Sequence, residues 1–149
     1  TVLTEVVGIC VYLEQLHPEK PLMGTDPLEQ ALVISWDHRI FANMSAAIAG
    51  MLRNRSKAFA NRALPGPLDL PQIPELVERG KLKLAHVLPG LDAELASRPW
   101  IAGDNFTFAD IDLLLAVDFM GWVKQSVPDT CSHLLDWYAR AKAELGLPA

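Results

Sequence analysis

The chain has 149 residues, half of them hydrophobic and 21% charged. That is enough apolar material for one domain with its own core, and it excludes a disordered segment. Acids number 18 against 13 Lys plus Arg, a formal charge of −5, which argues against nucleic-acid binding through phosphate neutralisation. No apolar run approaches the roughly 20 residues of a membrane span. Cys10 and Cys131 show neither a disulfide framework nor metal-ligand spacing, so a reducing, cytoplasmic setting is expected, with no metal and no membrane partner. Thr1-Val2-Leu3 opens without Met or a signal-peptide pattern, so a piece of a longer chain is expected.

Prolines punctuate the rest. Segment 4–16 carries Val6, Ile9, Leu13 and Leu16 at helical spacing. Thr4 is the expected N-cap, with Glu5 in the first turn where the helix dipole favours an anion. The three residues before this helix form at most a strand stub. Residues 17–25 read as a linker. Asp26 is then a candidate N-cap, with Pro27 at N1 and Glu29 three residues on, a variant capping box. The helix it starts has no proline until Leu64 and is expected to bend or end between Gly50 and Ser56. Residues 64–74 form an extended proline loop. Pro74 sets up a helix to about Ser97, with a kink or break expected near 85–90 because of Pro89-Gly90.

Residues 100–105 form a turn. Thr107 and Asp110 then have the spacing of a reciprocal cap, and Phe106 and Ile111 that of a hydrophobic staple. The helix from Phe108 to about Gln125 is apolar nearly all round, as in a buried helix. A last helix runs from about Thr130 to Glu144, packing through Leu134, Leu135, Trp137, Tyr138 and Ala141. Five helices and almost no strand give an all-α bundle. Within it Asp112 is expected to face outward and Asp118 to accept hydrogen bonds from its neighbours. Cys10 is expected to be buried and inert.

Leu3-Thr4-Glu5-Val6-Val7-Gly8-Ile9-Cys10-Val11-Tyr12-Leu13 resembles the L-T-E-S-x-A-I-x-x-Y-L string of glutathione S-transferases. Trp100-Ile101-Ala102-Gly103-Asp104-Asn105-Phe106-Thr107-Phe108-Ala109-Asp110-Ile111 resembles the same family's capping box and staple. The resemblance covers essentially the whole chain, and the second string is the more specific. It implies residues 1–17 as the end of a thioredoxin-like domain, 18–25 as a linker and 26–149 as the all-helical C-terminal domain. Most of the thioredoxin-like domain, with the thiol-activating residue, is expected to precede Thr1. The implied activity is conjugation of glutathione, as co-substrate, to a small hydrophobic electrophile, with the 149 residues alone inactive. The alternative is a non-catalytic helical assembly module of the same fold.

The resemblance also implies the site residues. Thr4 and Glu5 are expected to bind the γ-glutamyl end of glutathione, through the carboxylate and the first-turn N–H groups. Val6 stands where the family usually has Ser. The plain alternative is an ordinary helix start with a dipole-compatible acid. His38 and Ser45, seven residues apart, fall on nearly one face of an α-helix. In the family that helix lines the electrophile cleft, where they are expected to orient a water or polarise the sulfur. Alternatively His38 is an exposed helix residue and Ser45 a small packing residue.

From His38 to Leu68 there are five bases and no acid: Arg39, Arg53, Arg55, Lys57 and Arg62. This stretch either attracts anions or forms a solvated face or a dimer contact. A homodimer is expected. Without a first domain, Trp36, Ile40, Phe41, Met44, Ile48 and Met51 are expected to expose an apolar patch.

Overall fold

The computed structural model describes residues 1–148. Among them there are six α-helices and no strand: α1 (Val6–Leu16), α2 (Pro27–Ile40), α3 (Ala46–Arg55), α4 (Glu75–Leu95), α5 (Phe108–Met120) and α6 (Ser132–Glu144). Residues 1–3 form no strand and no bridge. Helix α2 packs on α5 and α3 packs on α4, while α6 closes the bundle against α4 and α5.

Asp26 caps α2, its Oδ1 accepting from the N–H groups of Leu28 (2.8 Å) and Glu29 (2.9 Å). The box is not closed by Glu29. Its carboxylate reaches one residue further back, to the N–H (2.7 Å) and hydroxyl (2.8 Å) of Thr25, and also accepts from Asn105 (2.9 Å). Glu29 thus ties the end of the linker to the turn before α5.

A π-helical turn, Phe41–Ser45, joins α2 to α3. The sequence carries no sign of it, yet the core explains it. Trp36, Ile40, Met44 and Ile48 are all buried, spaced by four residues. On an α-helix each such step drifts by about 40°, so Ile48 would sit about 120° from Trp36. A π turn holds one extra residue and takes back about 100°, which keeps the stripe on the core side. The loosened turn is braced by side chains. Asn43 donates to the Arg39 carbonyl (2.9 Å) and the Lys83 ammonium to the Ala42 carbonyl (2.7 Å). The expected exposed patch is therefore core: of Trp36, Ile40, Phe41, Met44, Ile48 and Met51, Phe41 alone is exposed.

Helix α3 ends at Arg55, inside the expected window. Helix α4 runs unbroken through Pro89 from Glu75 to Leu95, so no break occurs at 85–90. Pro89 is exposed, as are Ala85 and Gly90 beside it. Water can therefore satisfy the carbonyl that lacks a donor. Gly80 marks the close crossing of α3 and α4: a Cβ there would collide with the Met51 side chain.

Thr107 and Asp110 form the predicted capping box at α5. Asp110 Oδ2 accepts from the N–H (3.0 Å) and hydroxyl (3.1 Å) of Thr107. Its Oδ1 accepts from the Ile101 N–H and the Trp137 indole, both at 2.9 Å. One buried carboxylate thus joins the 100–105 turn, the start of α5 and the middle of α6. Phe106 lies edge to face on Trp100, ring centres 5.0 Å apart. Helix α5 ends at Met120, short of Gln125, passes through a 3-10 turn (Gly121–Val123) and stops at Lys124 in the left-handed region. Despite its apolar sequence, α5 is not buried all round, since Leu115 is exposed. Helix α6 buries Leu134, Trp137 and Ala141, as its periodicity predicts, with Leu135 and Tyr138 half-buried.

Candidate functional site

Helix α1 buries no residue fully. Its inner face, Val7, Cys10 and Val11, rests on the core, while Val6, Leu13 and Leu16 point outward at 66%, 49% and 55% exposure. The Glu14 carboxylate anchors it, accepting from the N–H groups of Leu22 (2.5 Å) and Met23 (2.8 Å). The N-cap is Glu5 rather than Thr4, so Glu5 lies one position before the first turn. Its backbone is extended (φ −99°, ψ 136°) and its side chain makes no cap bond. Thr4 and Glu5 are both exposed. The first-turn N–H groups of Val6, Val7 and Gly8 have no partner inside the helix. A free carboxylate beside free N–H donors suits a zwitterionic amino-acid group.

His38 is exposed on α2, and Ser45 is half-buried at the end of the π turn. Seven residues bring two side chains onto one face of an α-helix, but that relation does not hold across a π turn. The extra residue rotates Ser45 about 100° away from the His38 face. No ion pair or hydrogen bond links Thr4, Glu5, His38 and Ser45 to one another among the described residues.

A second feature escapes sequence reading. Asp112 on α5 does not face outward: it is half-buried, and its Oδ2 is buried without a hydrogen-bond partner. Burial, and then the charge of Asp37 on α2, push its pKa up to about 6. Asp37 is itself raised by burial, an effect that the neighbouring His38 opposes. Two carboxylates 75 positions apart therefore lie near enough to repel where α2 packs on α5. No local pattern encodes such a pair. Ile34 and Phe41, both exposed, flank Asp37 at three and four residues along α2. A cavity of about 380 Å³ opens between α1, the linker and α2, lined by Val11, Gln15, Met23, Gln30 and Ile34 among others.

The remaining acids of α5 are structural. Burial raises the Asp110 pKa, against the lowering effect of its four hydrogen bonds. Asp118 accepts from the Tyr138 hydroxyl, as expected. Cys10 is half-buried and Cys131 buried, both as free thiols. Among the described residues no cluster of His, Cys, Asp and Glu is arranged to hold a metal. No helix among them is long and apolar enough to cross a membrane.

The chain can now be set beside known proteins. Glutathione S-transferase 2 of Saccharomyces cerevisiae is 29% identical over 143 residues, covering 94% of this chain and 58% of that protein. The chain thus spans well under two thirds of that relative's length. The crystal structure of Gtt2 from Saccharomyces cerevisiae superposes with a TM-score of 0.83 at 27% identity, covering 95% of this chain and 66% of that one. A glutathione S-transferase domain-containing protein of Marinobacter aquaeolei VT8 shares the fold, with a TM-score of 0.85 at 23% identity, covering 98% and 69%. Residues 42–144 match the family described as Glutathione S-transferase, C-terminal domain, and with that match across most of an all-α bundle, this chain belongs to the glutathione S-transferase family.

Proposed function

We propose that this chain is the helical part of a cytoplasmic, homodimeric glutathione transferase that conjugates glutathione to a small hydrophobic electrophile. In this reading a thioredoxin-like domain preceding Thr1 holds most of the glutathione and supplies the group that activates its thiol. Residues 1–17 finish that domain, and 26–149 form the wall facing the electrophile. The family match over 42–144 is the observation that carries the proposal. The exposed, uncapped Glu5 at the start of α1 supports it.

The chemistry follows from charge. Glu5 pairs with the γ-glutamyl ammonium, Thr4 adds a hydroxyl, and the first-turn N–H groups of α1 take the γ-glutamyl carboxylate. The thiol proton leaves to a base or water, and the thiolate sulfur attacks the electrophilic carbon. A carbon–sulfur bond forms, and the displaced electron pair leaves with the leaving group or takes up a proton. His38 and Ser45 act from α2 and the π turn on the electrophile side, positioning a water or a polar group of the acceptor.

Val6, two-thirds exposed where a hydroxyl residue is usual in the family, favours a second reading, an assembly module without catalysis. One titration separates the two. In the complete protein, Glu5→Gln keeps shape but removes the charge. Glutathione affinity by calorimetry should fall about ten- to a hundredfold, the worth of a charge-assisted hydrogen bond. His38→Ala and Ser45→Ala should lower turnover and leave glutathione affinity unchanged. A parent protein that binds no glutathione would establish the assembly reading.

A further inference from the structure

The buried stripe demands one extra residue between Ile40 and Ile48, but it does not dictate where that residue sits. Viewed down the helix axis, the buried side chains of Val33, Trp36, Ile40, Met44, Ile48 and Met51 span about 100° with the extra residue at 41–45. Moved toward α3, just past Ser45, it leaves five of the six where they are and turns only Met44, for a span of about 120°. The core therefore fixes the number of residues in this stretch and chooses only weakly between the two placements. The residues that follow, Ala46, Ala47, Ala49 and Gly50, have little side chain to oppose the second one.

Polar groups make the choice. The Lys83 ammonium, on α4 and 41 positions away, donates to the Ala42 carbonyl at 2.7 Å, inside the π turn. Lys83 makes no ion pair among the described residues. The Asn43 side chain donates to the Arg39 carbonyl (2.9 Å) beside it. A carbonyl in a regular helix is engaged by the N–H four residues on. In a widened turn it is free to tilt toward an outside donor, so the Lys83 bond favours the π turn at its present place. The placement decides where Ser45 points. As it stands, Ser45 lies about 120° from His38 around the axis, half-buried at the edge of the core face. With the extra residue past Ser45, the two lie within about 20° of each other.

We propose that Lys83 is a positioning residue for the transferase reaction: its bond to the Ala42 carbonyl pins the extra helical residue ahead of Ser45 and so holds the Ser45 hydroxyl apart from His38. This rests on the assignment of His38 and Ser45 to the electrophile side. Lys83 acts through the backbone of the turn, from a different helix than either residue.

The test uses the complete protein. Lys83→Met removes the donor and keeps the stem. Turnover should fall about tenfold, the worth of a hydrogen bond from a charged group, with glutathione affinity unchanged. Lys83→Arg, which keeps a donor, should restore most of the loss. Relaxation dispersion of backbone amides reads exchange between helix registers on the microsecond-to-millisecond scale. It should be flat over residues 41–50 in the parent and in Lys83→Arg, while Lys83→Met should show exchange or displaced amide shifts there. Lys83→Ala serves for the same readings where the methionine variant does not fold. In a Ser45→Ala background Lys83→Met should lower turnover no further, because no hydroxyl is left to misplace. An equal loss in both backgrounds, an unaltered amide pattern in Lys83→Met, or a loss that Lys83→Arg does not restore overturns the proposal. A Ser45→Ala protein with full turnover overturns the assignment of Ser45, and with it the role of Lys83 in the reaction; the amide pattern then decides separately whether Lys83 holds the turn.

Discussion

Helices α1 and α5 are both made mostly of apolar residues, yet one lies on the rim of the molecule and the other through its centre. Six residues of α5 are buried and none of α1. The difference lies in what each end is fastened to. The start of α5 is held by Asp110, which gathers bonds from three separate elements. Helix α1 is held near its C-terminal end by Glu14, while its N-terminal end carries free N–H groups and the free Glu5 side chain. An apolar stripe specifies a helix, but fixed polar groups at its end decide whether it belongs to a finished core. On that view α5 is where the bundle is made stable and α1 is where its apolar surface stays open.

Four substitutions test this contrast. Asp110→Ala should cost the most, about 3–5 kcal/mol, because it strands buried donors on Ile101, Thr107 and Trp137 together. Urea denaturation should show the midpoint falling sharply, and a loss below about 1 kcal/mol would remove Asp110 as the centre of the fold. Thr107→Ala removes the cap and one of the four bonds to Asp110, leaving the other three, and should cost about 1–2 kcal/mol by the same measurement.

Asp112→Asn should act in the opposite sense. Its folded pKa is raised to about 6, above the ordinary value of about 4 for an unfolded chain. Between those values the folded chain holds more protons at this site than the unfolded one. Its contribution to stability therefore falls as pH rises from about 4 to 6 and is level above that. Asparagine mimics the neutral acid. The variant should be more stable by about 1 kcal/mol at pH 7.5, allowing for solvent screening of a half-exposed group, and no different at pH 4. An equal effect at both pH values would mean that charge is not the cause.

Glu14→Ala should change global stability least, by under about 1 kcal/mol, since α1 contributes no buried residue. Hydrogen exchange should nonetheless show α1 amides losing protection while those of α5 keep theirs. Joint loss in both helices would refute the separation of rim from centre.

What could be read from the sequence was local. The Asp26 and Thr107–Asp110 caps, the end of α3 and the buried face of α6 each depend on residues a few positions apart. What could not be read depended on distant partners. Trp36, Ile40, Met44, Ile48 and Met51 have the composition of an exposed patch or of a core stripe, and the packing of α4 and α5 decides between them. The repulsion between Asp37 and Asp112 has no neighbouring signal. Of the kink or break expected at Pro89, the break does not occur, because its turn faces solvent. At the candidate site, Glu5 is proposed from family resemblance, whereas its position as N-cap required coordinates.

The π turn at Phe41–Ser45 makes that stretch tolerant of a change in chain length as well as in residue identity. Several side chains there could change without altering the path of the helix, Phe41 being exposed and Ala42, Asn43 and Ser45 half-buried. Deleting any one of the five converts the turn to regular α-helix. The residue removed and the π turn lost are each worth about 100° and cancel, so everything after the turn keeps its face relative to everything before. Ile48 and Met51 would stay in the core, and Gly80 would still face the methionine it admits. A single-codon deletion here is therefore far milder than one in the regular helix on either side, where nothing offsets the rotation.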